Sequence, residues 1–157
     1  MIHSDGTIEI ESPRVIITPK TMREDFLVSP LFLISQPLNQ NAPWSRYSFK
    51  PITANDEQLA GDICFCSGVV YSLSFCSMRL ESGMSWNEYS AEREQARHCF
   101  HKKLLKTLFV RPPDKRIQSG VDDRNTSDQY NFPWGLVCAE QDIKGGASYI
   151  FIKYGNL

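Results

Sequence analysis

The residues whose types and spacing come nearest to a reactive set are Glu94, His98, Cys99 and His101. On a helix, Glu94, His98 and His101 fall on adjacent turns, a spacing that can gather carboxylate and imidazole ligands around a metal ion. A metal needs further ligands from elsewhere, and the only other histidine is His3, near the N-terminus. Cys99 has His98 beside it, but consecutive helical residues point in different directions, so the imidazole is badly placed to activate the thiol. Histidines near the end of a helix are favoured by its dipole alone. The residues therefore predict surface histidines, with no metal, no cofactor and no catalytic residue.

Other reactive patterns are weaker. The sequence has no Gly-x-Ser-x-Gly nucleophile elbow, and Gly145-Gly146 lacks the lysine and following helix of a phosphate loop. Carboxylates cluster at Asp56-Glu57, at Asp122-Asp123 and at Glu140 with Asp142, but general acid–base work needs two in one cleft with separated pKa values. These groups read as solvated loop charge, or as an acidic patch facing a basic partner. Tyr130, Phe132 and Trp134 adjoin the aspartate-rich stretch, and aromatic side chains beside charge are what protein interfaces use as anchors.

The chain that must position these groups has 157 residues, enough for one domain over 1–157. Its net charge of −1 argues against a general nucleic-acid binder, which needs a concentrated basic face. The apolar runs are too short and interrupted to span a membrane. Cys64, Cys66, Cys76, Cys99 and Cys138 make an odd, irregularly spaced set. With no signal-peptide pattern, that set fits a reducing cytoplasm, Cys64 and Cys66 sharing one strand face as core filler.

One amphipathic helix is expected from Ser85 to Phe109. It starts in the capping box Ser85-Trp86-Asn87-Glu88 and carries Tyr89, Ala96, Phe100, Leu104 and Leu108 as its apolar stripe. Pro112-Pro113 forbids its continuation. Before it, Thr7–Glu11, Arg14–Ile17 and Trp44–Ile52 read as strands. Met22–Val28 reads as a short helix ended by Ser29-Pro30, and Asn39–Pro43 as a turn. Gly61–Cys66 and Val69–Cys76 form a hairpin about Ser67-Gly68. The second arm divides into a buried face and a mixed one, as in a sheet covered on one side. Beyond the helix, a polar loop at 111–131 precedes a hairpin of Phe132–Glu140 and Ala147–Tyr154. Hairpins segregated around one helix predict α+β, an antiparallel sheet with the helix on one face.

Three stretches carry a resemblance: Ile17-Thr18-Pro19-Lys20-Thr21-Met22, Ser85-Trp86-Asn87-Glu88-Tyr89-Ser90, and Phe132-Pro133-Trp134-Gly135 leading to Lys144-Gly145-Gly146-Ala147-Ser148-Tyr149-Ile150. In pattern and element order the chain resembles the small cytosolic immunity proteins of bacterial toxin systems, including contact-dependent growth inhibition. The resemblance implies a non-enzymatic antitoxin that binds one cognate toxin domain, a nuclease among the candidates, and engages neither nucleic acid nor membrane. The residues themselves put the expected partner contacts at Asp122, Asp123, Asp128, Tyr130 and Trp134. Two alternatives stay open: a small enzyme or metal-binding protein using His98 and His101, and a subunit that self-associates through a sheet edge.

Overall fold

The computed structural model describes residues 2–78, 90–118, 126–142 and 146–155. Its elements are β1 (Ile8–Ile10), β2 (Val15–Ile17), α1 (Arg23–Leu27), α2 (Pro30–Leu33), β3 (Ser35–Asn39), β4 (Trp44–Ala54), β5 (Glu57–Cys66), β6 (Val69–Ser77), α3 (Ala91–Phe109), β7 (Lys115–Gln118), β8 (Thr126–Phe132), β9 (Gly135–Asp142) and β10 (Ala147–Tyr154). Strands β3 to β10 form one antiparallel sheet in the order β3-β4-β5-β6-β10-β9-β8-β7, and β1 pairs with β2 separately. The fold is α+β. Two four-stranded meanders, one on each side of α3 in sequence, join where β6 meets β10.

Turn chemistry fixes the first meander. Asn55-Asp56 and Ser67-Gly68 all take positive φ, the backbone of two-residue hairpins. Between them β5 pairs with both neighbours, setting Ile63 and Phe65 in the core opposite Leu73 and Val70. A bulge at the Cys64/Phe65 step brings Val70, rather than Val69, to the core side. The same face of the sheet is covered by β1–β2 through Ile8, Ile10 and Ile17, by α1 through Phe26, by α2 through Leu31, and by α3. Phe26 meets both Tyr47 and Phe65 at a tilt, anchoring α1 over β4 and β5.

Several expectations need correction. The long helix begins at Ala91, capped by the extended Ser90, whose hydroxyl accepts the Arg93 N–H. It is therefore not continuous from Ser85, and the proposed cap at 85–88 lies outside the described residues. Ser29-Pro30 does not simply end α1: Ser29 caps a second short helix and Pro30 takes its first turn, where its missing N–H costs nothing. Ser35–Asn39 forms an edge strand, β3, that was not expected, and the polar stretch at 111–131 is not one loop. Residues Lys115–Gln118 pair antiparallel with Thr126–Gln129.

The largest departure concerns α3. Its buried residues are Glu94, Arg97, His98, His101 and Leu105, while Ala96 is exposed and Phe100, Leu104 and Leu108 are only half-buried. A polar stripe faces the sheet, and the strands explain why. Pairing of β6 with β10 stops at Phe75–Ile150. Two residues further on, Ser77 and Ser148 would face each other, yet the helix comes between them. The Ser77 N–H donates to His101 Nε2 at 3.2 Å, and the Ser148 N–H donates to Glu94 Oε2 at 2.9 Å. The Ser148 hydroxyl in turn donates to the Glu94 backbone carbonyl at 3.0 Å, and Arg97 pairs with the Glu94 carboxylate. Along the same buried face His98 Nε2 lies 2.9 Å from the Thr126 carbonyl oxygen, and beside it Lys102 Nζ donates to Thr126 Oγ1 at 2.7 Å. Side chains of α3 thus complete the backbone hydrogen bonding of three strand ends.

His101 must be neutral to accept from Ser77, and burial, with His98 and Arg97 adding to it, lowers its pKa to about 3. Burial likewise lowers His98. A histidine depressed in the folded state contributes fully above its unfolded value near 6.5, and that contribution is lost as pH falls toward about 3. For His101 the loss grows by about 1.4 kcal/mol per pH unit between these two values. The urea midpoint should therefore fall between about pH 7 and pH 4. His101→Gln keeps an acceptor for Ser77 and should flatten the decline; an unchanged slope would contradict this account.

Candidate functional site

With every covering element on one face, the opposite face of β4, β5, β6, β9 and β10 lies open among the described residues. It forms a bowl with a cavity volume of about 1080 Å³. Strand register explains its shape. One row across the sheet runs Arg46, Cys64, Ser72 and Lys153; the next runs Ser48, Asp62, Ser74, Phe151 and Cys138. Serines on the central strand β6 keep the floor low, while Arg46 on β4 and Tyr149 and Phe151 on β10 build the walls. Tyr71 lies at one end, flanked by Trp44 edge-on at 5.0 Å and by the Lys153 ammonium 5.5 Å from its ring centre.

The floor carries one tight polar network. Arg46 holds Asp62 through Nε–Oδ1 at 2.9 Å and Nη2–Oδ2 at 2.8 Å, a bidentate pair. The Ser74 hydroxyl donates to the same carboxylate at 2.7 Å. The hydrogen bond to Asp62 raises the Arg46 pKa above its ordinary value, so its charge is permanent. Gly61 sits beside Asp62 because β5 and β6 approach closely there: a Cβ on Gly61 would stand 1.9 Å from the Ser74 carbonyl oxygen.

The β9–β10 wall is acidic and weakly reactive. Burial first, then Glu140 and Asp142, pushes the Tyr149 phenol up to about 12. The Cys138 thiol donates to Glu140 at 3.1 Å, and burial with that carboxylate pushes its pKa well above the usual thiol range. Burial also raises Cys64 and Cys76. Cys64 and Cys66 are half-buried on this open face and do not fill the core as expected, Phe65 between them doing so instead. Among the described residues no three His, Cys, Asp or Glu side chains are grouped to hold a metal ion.

The expected contact residues lie elsewhere. Asp122 and Asp123 fall outside the described residues. Asp128 is buried on the helix-covered face, where Arg116 Nε donates to it at 2.9 Å. Tyr130 is fully buried, its ring against Phe109 and under the Arg111 guanidinium. Trp134 stacks on Phe132, tilts against Tyr154 and donates from Nε1 to the Ser4 carbonyl at 2.8 Å. Asp128 and Tyr130 are both buried in this fold, and the aromatic run locks the end of α3 and the N-terminus to the sheet. His98 and His101 are both fully buried and not at the surface.

The mixed face expected of β6 carries Ser72, Ser74 and Cys76, and Arg46 and Asp62 reach it only through pairing across three strands. Against family models, curated proteins and solved structures, the chain finds no match. No described helix is long and apolar enough to cross a membrane.

The close approach at Gly61 is directly testable. Gly61→Ala should cost about 1–3 kcal/mol in urea unfolding, because the new methyl group meets backbone that cannot rotate away. Wild-type stability in that variant would show that the strands are not held this close.

Proposed function

We propose that this chain is a non-enzymatic cytoplasmic binding protein of the immunity type, which neutralises a cognate toxin domain by seating part of it on the concave sheet face. One observation carries the reading. A bowl of about 1080 Å³ lies open on the only large sheet face that the described elements leave uncovered, with preset polar groups on its floor and aromatic side chains at its end. Small-molecule sites usually enclose about 300–1,000 Å³ and bury most of their ligand. A wide, open bowl suits a protruding protein segment better. Tyr71 and Arg46, which line the bowl, belong to the residue types that dominate binding energy at protein interfaces, and Trp44 packs edge-on behind Tyr71.

The chemistry of the bowl supports binding over turnover. Its thiols are held protonated by burial, and its carboxylate on the floor is already tied to Arg46 and Ser74. Such a network favours recognition, because its geometry is set before a partner arrives. Asp122 and Asp123 keep the role expected of them from sequence, steering a basic toxin surface toward the complex.

The test is co-expression with the protein encoded immediately upstream, read by survival and co-elution. Wild-type chain should rescue growth and co-elute. Ser74→Trp, which fills the floor from a half-buried position, should weaken the complex by about tenfold or more while the thermal midpoint stays near wild type. Full rescue and unchanged affinity in Ser74→Trp would contradict the concave-face reading.

A further inference from the structure

The Arg46 guanidinium has donors left over. It carries five N–H groups. Two are taken by Asp62, and the remainder have no partner among the described residues. Its side chain is 51% exposed, whereas Asp62 beneath it is 17% exposed. Asp62 therefore works from below, fixing the plane of the fork, and Ser74 fixes Asp62. The edge formed by Nη1 and the outer Nη2 hydrogen remains on a side chain that lines the cavity. A guanidinium held by one carboxylate, with its second edge open, is the donor arrangement that takes a second planar oxyanion in two parallel hydrogen bonds.

Charge around the bowl favours the same ligand on this wall. Lys50 lines the cavity from the same strand as Arg46, while Asp142 lines it from β9. The acidic groups thus stand on the opposite wall, across the serine floor, where Glu140 is occupied by the Cys138 thiol. Tyr149 and Phe151 line the cavity from β10 and supply apolar surface for whatever carries the oxyanion.

We infer that the bowl recognises a carboxylate, which forms a bidentate pair with the open edge of Arg46 while Asp62 and Ser74 hold that arginine in place. This deepens the concave-face reading and rests on it. The carboxylate comes either from an Asp or Glu side chain of a bound protein or from a small organic acid.

The experiment uses the full-length ¹⁵N-labelled chain, titrated with benzoate and with its neutral isostere benzamide. Benzoate should give saturable shifts of the Arg46 Nε–H and of the Asp62, Ser74 and Tyr149 amides, about tenfold tighter than benzamide. Arg46→Gln should abolish the benzoate response at those amides, and Arg46→Lys should keep part of it. Equal responses to the two probes, no response to benzoate, or an undiminished response in Arg46→Gln would overturn the inference. N-acetyl-glutamate α-amide, titrated in parallel, separates the sources: tighter binding than benzoate favours a protein side chain, weaker binding a small acid, and either outcome supports the carboxylate. A toxin complex blocked by Ser74→Trp but indifferent to Arg46→Gln would sink the carboxylate and leave the concave face standing. A complex indifferent to Ser74→Trp would sink the concave face itself, whatever benzoate does.

Discussion

The structure turns on a place where two strands stop pairing. Beyond Phe75 and Ile150, β6 and β10 separate, and each would present an N–H to the interior without a partner. An unpaired buried amide costs about 1–3 kcal/mol, so the split is tolerable only because α3 enters it. Glu94 accepts from Ser148 and His101 accepts from Ser77, one helix supplying acceptors to both halves of the sheet. Those two residues lie seven positions apart, two helical turns, and therefore share one face of α3. This is why the helix turns polar residues inward although the rest of the core is aliphatic and aromatic.

Placing the helix there decides which face of the sheet is left open. With β1–β2, α1, α2 and α3 packed on one side, the other side is lined among the described residues chiefly by the sheet's own side chains, with Leu33 and Ile34 at the end of α2, and β6 contributes serines. The result is a bowl whose floor is organised by hydrogen bonds from Arg46 and Ser74 to Asp62 and whose walls are large side chains from the flanking strands. The core is thus carried by the covered face, and the recognition proposed for this chain falls to the open one.

Much of the first meander was legible. Alternating apolar residues and the Ser67-Gly68 turn identify β5 and β6, and the division of β6 into an apolar face and a serine-rich face already implies a sheet covered on one side. The closing hairpin and the stop at Pro112-Pro113 follow from local chemistry too, α3 ending at Phe109. What could not be read locally is everything that depends on long-range partners. Glu94, His98 and His101 look like surface residues because their acceptor and donor partners are backbone groups at Ser148, Thr126 and Ser77, far away in the chain. Lys115–Gln118 looks like loop because its strand character comes from pairing with β8. Asp128 and Tyr130 look like contact residues until Arg116 and Phe109 are seen to cover them. The bowl itself arises from register across β4, β5, β6 and β10, which no single segment encodes.

Native-state hydrogen exchange at two amides tests the central claim most directly. If α3 caps the split between β6 and β10, the Ser77 and Ser148 amide protons should exchange as slowly as those of Leu73 and Ile152, deep in the paired region. Glu94→Gln should speed exchange at Ser148 before it affects Leu73. Rapid exchange of both serine amides in the wild-type protein, at rates like those of the exposed outer strand β7, would show that the helix does not close the sheet, and the account would fail.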